Sequence, residues 1–164
     1  MTGFMFNENA EIPTVKDPHL HVMLIGNNPI ELSKVEGYLK AMASKGIISE
    51  IAFDLKSFWQ RMSSFQPHYI LIDDNVGRGE LKSIVQSLAN SKQTQEIPVA
   101  VIKNSNFHES FCNEVSEYLL KSTLTEESLY KTIINSLRFR KTRAYLYKKY
   151  RKRKMQLKEL VGIR

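Results

Sequence analysis

The residues with chemistry to offer stand directly after short apolar runs. Asp73, Asp74 and Asn75 follow Tyr69 to Ile72, Lys103 and Asn104 follow Val99 to Ile102, and Lys121 follows Tyr118 to Leu120. Gly26, Asn27 and Asn28 follow the run His21 to Ile25. Singly, each is the ordinary polar end of a strand that reaches the surface. Together, two carboxylates and two ammonium groups would converge on one edge of a sheet, with Asp73 and Lys121 forming an ion pair beside a ligand crevice.

The elements that would bring them there follow from a pattern that repeats five times. His21 to Ile25 is a strand, and Asn28 with Pro29 reads as an N-cap and first helical turn. Leu32, Val35, Leu39 and Met42 keep helical spacing until Gly46 ends the helix. Ile48 to Phe53 is the second strand, and Asp54 caps a helix with Leu55, Phe58, Trp59 and Met62 on its inner face. The third strand leads to a helix bearing Leu81, Ile84, Val85 and Leu88, and the fourth to one bearing Phe107, Phe111 and Val115. After the fifth strand, a last helix starts near Thr125 with Leu129, Ile133 and Leu137 inward. Apolar strands alternating with amphipathic helices predict a parallel sheet covered on both faces. The expected fold is therefore α/β, an open (βα)5 flavodoxin-like sheet in the order 2-1-3-4-5, whose ligand crevice lies at the carboxyl ends of its strands.

Composition and charge narrow the class. The 164 residues are 42% hydrophobic and 25% charged, as in an ordinary globular protein, but the net charge is +7. Residues 1–137 carry 12 basic and 16 acidic side chains, a net of −4, whereas residues 138–164 carry 12 basic side chains and one acid, Glu159, a net of +11. One cysteine, Cys112, forms neither an internal disulfide nor a multi-thiolate metal site. The apolar runs fall far short of the roughly 20 residues of a membrane span, and the start of the chain lacks the basic and apolar segments of a signal peptide. A cytoplasmic protein is expected, with a flexible leader over residues 1–19, a domain over 20–137 and a basic extension over 138–164.

Residues 20–137 resemble the receiver domain of response regulators. PHYILIDDN is similar to the family's third-strand motif, with Asp73 on the aspartate that accepts a phosphoryl group from a sensor kinase. EYLLK is similar to the fifth-strand motif, placing Lys121 on the family's lysine and Tyr118 on its switch aromatic. HVMLIGNNPIELSKVEGYL and IPVAVI resemble the first strand with its helix and the fourth strand. The resemblance implies two-component signal transduction, a CheY-like fold and a sensor histidine kinase or other signalling protein as partner.

The departures from the family pattern are chemical. An acidic pair after the first strand helps to hold Mg²⁺ in the family, and Gly26 and Asn27 stand at those positions. The metal offsets the repulsion between an incoming phosphoryl group and the aspartate; Asn27 or Asn28 offers only a neutral oxygen, so at most weak Mg²⁺ binding is expected from a pocket of Gly26, Asn27, Asn28, Asp74 and Asn75. Lys103 aligns with the switch Ser or Thr, where its ammonium could pair with Asp73; Ser122 replaces the proline after the lysine, and Val76-Gly77 the apolar-Pro step after strand 3. The expectation is an atypical receiver, or pseudo-receiver, with Asp73 held by Lys121 and Lys103 in one signalling state. A conventional phosphorelay receiver using Asp73 is the alternative. Tyr118 reads equally well as a plain sheet-edge aromatic.

The last helix meets no strong stop before Gly162, about 35 residues or roughly 50 Å, more than a domain of this size covers. Phe139, Leu146, Tyr150, Leu157 and Leu160 approach heptad spacing, but Arg143 and Arg153 break the stripe. Lys148, Lys149, Arg151, Lys152, Arg153 and Lys154 form the densest charge run, a candidate partner-binding tail. It reads as a solvated face, as a signalling helix or homodimer element, or as a nucleic-acid or acidic-partner adaptor with Tyr145, Tyr147 and Tyr150 as stacking groups. No DNA-reading motif accompanies it, so non-specific nucleic-acid binding is the less favoured reading. An enzyme on the same sheet is the remaining class, but phosphate-binding and nucleophile motifs are missing from the sequence. His19, His21, His68 and His108 follow no strand, and Cys112 reads as a core residue. No enzymatic activity is expected beyond self-phosphorylation at Asp73 from a phosphodonor, and no resident cofactor.

Overall fold

The computed structural model describes residues 19–104 and 114–162. Five parallel strands, β1 (Leu20–Ile25), β2 (Ile47–Ala52), β3 (Tyr69–Asp73), β4 (Val99–Lys103) and β5 (Glu117–Leu120), form one sheet in the order β2-β1-β3-β4-β5. Helices α1 (Pro29–Ala41), α2 (Leu55–Phe65), α3 (Arg78–Asn90) and α4 (Glu126–Val161) alternate with them. This is the expected flavodoxin-like sheet. The expected helix through Phe107 and Phe111, together with Ser105, His108 and Cys112, lies outside the described residues, as does the leader up to residue 18.

Local chemistry starts and stops the helices where the sequence reading places them. The Asn28 side chain accepts from the N–H of Ile30 and Glu31 with Pro29 in the first turn. Asp54 and Thr125 each form a capping box with a serine three residues on, Ser57 and Ser128. Gly46 takes φ 81° to end the 3-10 turn Met42–Lys45 that extends α1. Gln66, the one non-glycine residue at positive φ among the described residues (50°), ends α2. The strand boundaries move by one residue: β2 begins at Ile47 and ends at Ala52, leaving Phe53 exposed in the turn.

Because side chains alternate along a strand, the sheet divides the core in two. Val22 and Leu24, Tyr69 and Leu71, and Ala100 and Ile102 face α1 and α4, packing on Leu32, Val35, Leu39, Leu129 and Ile133. Met23 and Ile25, Ile70 and Ile72, and Val99 and Val101 face α2 and α3, packing on Phe58, Phe65, Ile84, Val85 and Leu88. Burial pushes the Tyr69 phenol up to about 12, and its hydroxyl lies 3.5 Å from Ser136 Oγ of α4. The parity matters for the site, because Asp73 continues the Tyr69, Leu71 series toward α1 and α4, and Lys103 continues the Val99, Val101 series toward the opposite face.

Helix α4 belongs to the domain only in its first third. Leu129 and Ile133 are buried and Leu137 is partly buried against the core, whereas residues 141–161 are all exposed. Ile133→Ala should therefore cost about 2–5 kcal/mol, and Leu146→Ala on the same helix less than about 0.5 kcal/mol. Chemical denaturation of the two variants measures the difference; equal losses would mean that the arm packs on the domain.

Candidate functional site

The register explains how two residues far apart in sequence meet. Asp73 pairs with Ile102, and Lys103 with Leu120, so Lys121 begins one step beyond the end of β5, two strands from Asp73. Two inter-strand spacings make about 10 Å, a gap that only a long side chain crosses. The ammonium of Lys121 donates to both oxygens of Asp73, at 3.2 Å to Oδ1 and 2.9 Å to Oδ2. Asp73 is 1% exposed, and its Oδ1 also accepts from the Asn75 N–H at 3.0 Å.

A third group completes the arrangement. Glu31, in the first turn of α1, accepts from the same ammonium at 3.0 Å. Burial lowers the pKa of Lys121, but the hydrogen bonds and charges of Asp73 and Glu31 outweigh it and hold the ammonium above its ordinary value. One cation thus serves two carboxylates, leaving the triad with a net charge of one negative. Glu31 stands at no strand end, so strand-end reasoning passes over it. Its signal was an acid in the first turn of the helix that leaves the carboxyl edge after β1, on the face to which Asp73 points.

The expected pairing of Lys103 with Asp73 is not what the structure has. Lys103 turns to the opposite face of the sheet, and its ammonium lies 5.4 Å from the centre of the Tyr118 ring. Tyr118 itself is partly buried against the cluster beneath α2 and α3. Asp74 is tied to β4 by Asn104, whose N–H and side-chain amide donate at 3.1 and 2.9 Å, and the same amide reaches Asn75 Oδ1 at 2.5 Å.

The positions aligned with an acidic metal-binding pair part company. Gly26 is buried on the Asp73 side, and a Cβ added to it would lie 2.6 Å from Leu32 Cδ2. Leu32 is fully buried, so any side chain at residue 26 forces the core under α1 to repack. Asn27 turns the other way into an open cleft with Phe53, Asp54, Val76 and Glu80. There Asp54 caps α2, and the Ser57 N–H holds its carboxyl below the usual range. Asn28 spends its side chain as the cap of α1. Among the described residues, no three of His, Cys, Asp and Glu converge as metal ligands. The donor set does not fit a resident divalent ion: residues 26 and 27 offer no carboxylate, Leu32 packs against Gly26, and the oxygens of Asp73 and Asp74 already accept from Lys121 and Asn104. Lys148, Lys149, Arg151, Lys152, Arg153 and Lys154 all lie exposed on α4, remote in sequence from this edge.

Solved structures share this architecture. A sensor protein from Polaromonas sp. JS666 superposes with a TM-score of 0.61 at 14% identity, over 75% of this chain and 99% of the other. The receiver domain of a sensor histidine kinase from Pseudomonas aeruginosa, with a magnesium ion coordinated in its active-site cleft, gives 0.59 at 12% identity, over 73% and 98%. The fold is that of receiver domains. The chemotaxis response regulator CheY4 of Vibrio cholerae gives 0.57 at 18% identity, over 71% and 98%. No protein-family model matches the sequence, and no curated protein matches it. No helix among the described residues is long and apolar enough to cross a membrane.

Removing Lys121 leaves a buried carboxylate without a cation, so Lys121→Met should destabilise the fold by about 3 kcal/mol or more. Adding Asp73→Asn should restore most of it. The folded pKa of Lys121 stands above its unfolded value, near 10.5. Its contribution is therefore complete below that pH and is lost as pH rises through the folded value. Denaturation of wild type and Lys121→Met should show a constant gap from about pH 6 to 9 that closes in strong alkali; a gap already closing near neutrality would contradict the triad.

Proposed function

We propose that this chain is an atypical receiver in two-component signalling, held in one state by the Asp73, Lys121 and Glu31 triad and acting by protein-protein contact. The reading is supported above all by Leu32, which fills the space beside Gly26 where the family places a metal-binding carboxylate. Phosphoryl transfer brings negative charge to a carboxylate, and a divalent cation normally offsets it. Here the approaching group meets a site already negative by one, with its single cation divided between Asp73 and Glu31. The domain then carries no reaction of its own, no resident metal, and a surface that a sensor kinase or another signalling protein reads.

Asp73 and Lys121 are both kept, and on those two residues rests the alternative of a conventional phosphorelay receiver. Incubation with acetyl phosphate and Mg²⁺, followed by intact-mass measurement, separates the two. The expected result is no adduct, and no change in thermal midpoint with a beryllofluoride mimic. A stoichiometric, Mg²⁺-dependent adduct that disappears in Asp73→Asn would restore the phosphorelay.

A further inference from the structure

The arm of α4 has a second face that the receiver reading leaves without a use. At about 100° per residue, Phe139, Leu146, Tyr150, Leu157 and Val161 fall within about 40° of one line along the helix, with Leu160 at its edge. These six side chains are 59% to 84% exposed. Leu129 and Ile133, which pack on the sheet, lie about 100° round the helix from that line. The stripe is therefore no continuation of the core face. Arg143 and Lys154 run along one margin and Lys149 and Arg153 along the other, and residues 138–161 hold eleven basic side chains against the single acid Glu159. Gly162, at φ 67°, closes the helix by donating its N–H to the carbonyls of Glu159 and Lys158.

The occupant of such a face must be both anionic and able to take up apolar side chains. A second copy of the arm would cover the stripe but set the basic margins against each other, with almost no acid to offset them. Nucleic acid would answer the charge and leave Phe139, Leu146 and Leu157 in water. Nor do the tyrosines make a stacking platform, because Tyr145 and Tyr147 point about 160° apart. The surface of an anionic bilayer answers both demands. The stripe enters the acyl boundary, the marginal Lys and Arg stems lie along it with their charges at the headgroup phosphates, and Tyr150 sits at the interface that tyrosine favours. The field of the leaflet also acts on outward cations such as Lys148 and Lys152 within a Debye length. We propose that residues 138–161 form an interfacial helix that lies in the plane of an anionic phospholipid surface, about 35 Å long, and carries the receiver domain to it.

Flotation of the full chain with vesicles tests this. Phosphatidylcholine vesicles with roughly 30% phosphatidylglycerol should carry the protein, and vesicles of phosphatidylcholine alone should not. Leu146→Asp with Leu157→Asp should weaken binding at least about tenfold, with the thermal midpoint unchanged because neither residue touches the core. A milder pair, Leu146→Ser with Leu157→Ser, should fall in between. Asp73→Asn should float as wild type, which keeps the outcome separate from that of the receiver reading. The proposal is overturned if anionic vesicles fail to bind, or if the stripe variants bind as well as wild type. It is equally overturned if duplex DNA or RNA binds more tightly than the vesicles, or if sedimentation shows a dimer that the stripe variants dissolve.

Discussion

Asp73 is the point from which the rest of the carboxyl edge follows. It ends a strand buried on both faces, where an unpaired carboxylate would carry a desolvation cost that water cannot relieve. The sheet supplies a cation two strands away, and Lys121 is long enough to deliver it. What differs from a simple pair is the second claim on that cation. Glu31 draws the ammonium toward α1, so the helix that covers one face of β1 and β3 is tied electrostatically to the turn after β5. One ion triad thus links α1, the end of β3 and the turn after β5.

The elements were legible from the sequence because each carries its own punctuation. Asn28, Asp54 and Thr125 are N-caps whose side chains have no better use, and Gly46 and Gly162 supply the left-handed residues that end helical segments. Asp73 and Lys121 were legible for a related reason, as charges that abut apolar runs. Lys103 looked equivalent by that measure and is not. The register sets Asp73 opposite Ile102, so Lys103 stands one residue further along and its side chain takes the other face. Parity across strands decides which strand-end charges meet, and it depends on pairing that no single segment encodes. Glu31 was hidden by the same fact, since its relevance appears only once Asp73 is known to face α1.

Gly26 shows how an absent side chain can be a positive structural feature. Leu32 packs against the glycine and makes this corner part of the core cluster under α1. Apolar burial there stabilises the domain without any ligand. The consequence is that a carboxylate introduced at residue 26 would compete with Leu32 for the same volume and cost packing.

The charge asymmetry of the chain takes its meaning from where α4 leaves the domain. Up to Leu137 the helix spends its apolar residues on the sheet, and beyond it the line that faced the core becomes basic at Arg140, Arg151 and Lys158 while a new apolar line opens about 100° away. A helix that served only as a solvated spacer would need no such second line, and a rod built to dimerise would need acids among its margins. Rotation of the apolar face within one unbroken helix joins two surfaces of different character. One is satisfied by the fold itself; the other still requires a partner that is negative and apolar at once. Because the two faces share a backbone, the orientation of the five-stranded domain on that partner is set by the helix geometry rather than by a flexible linker.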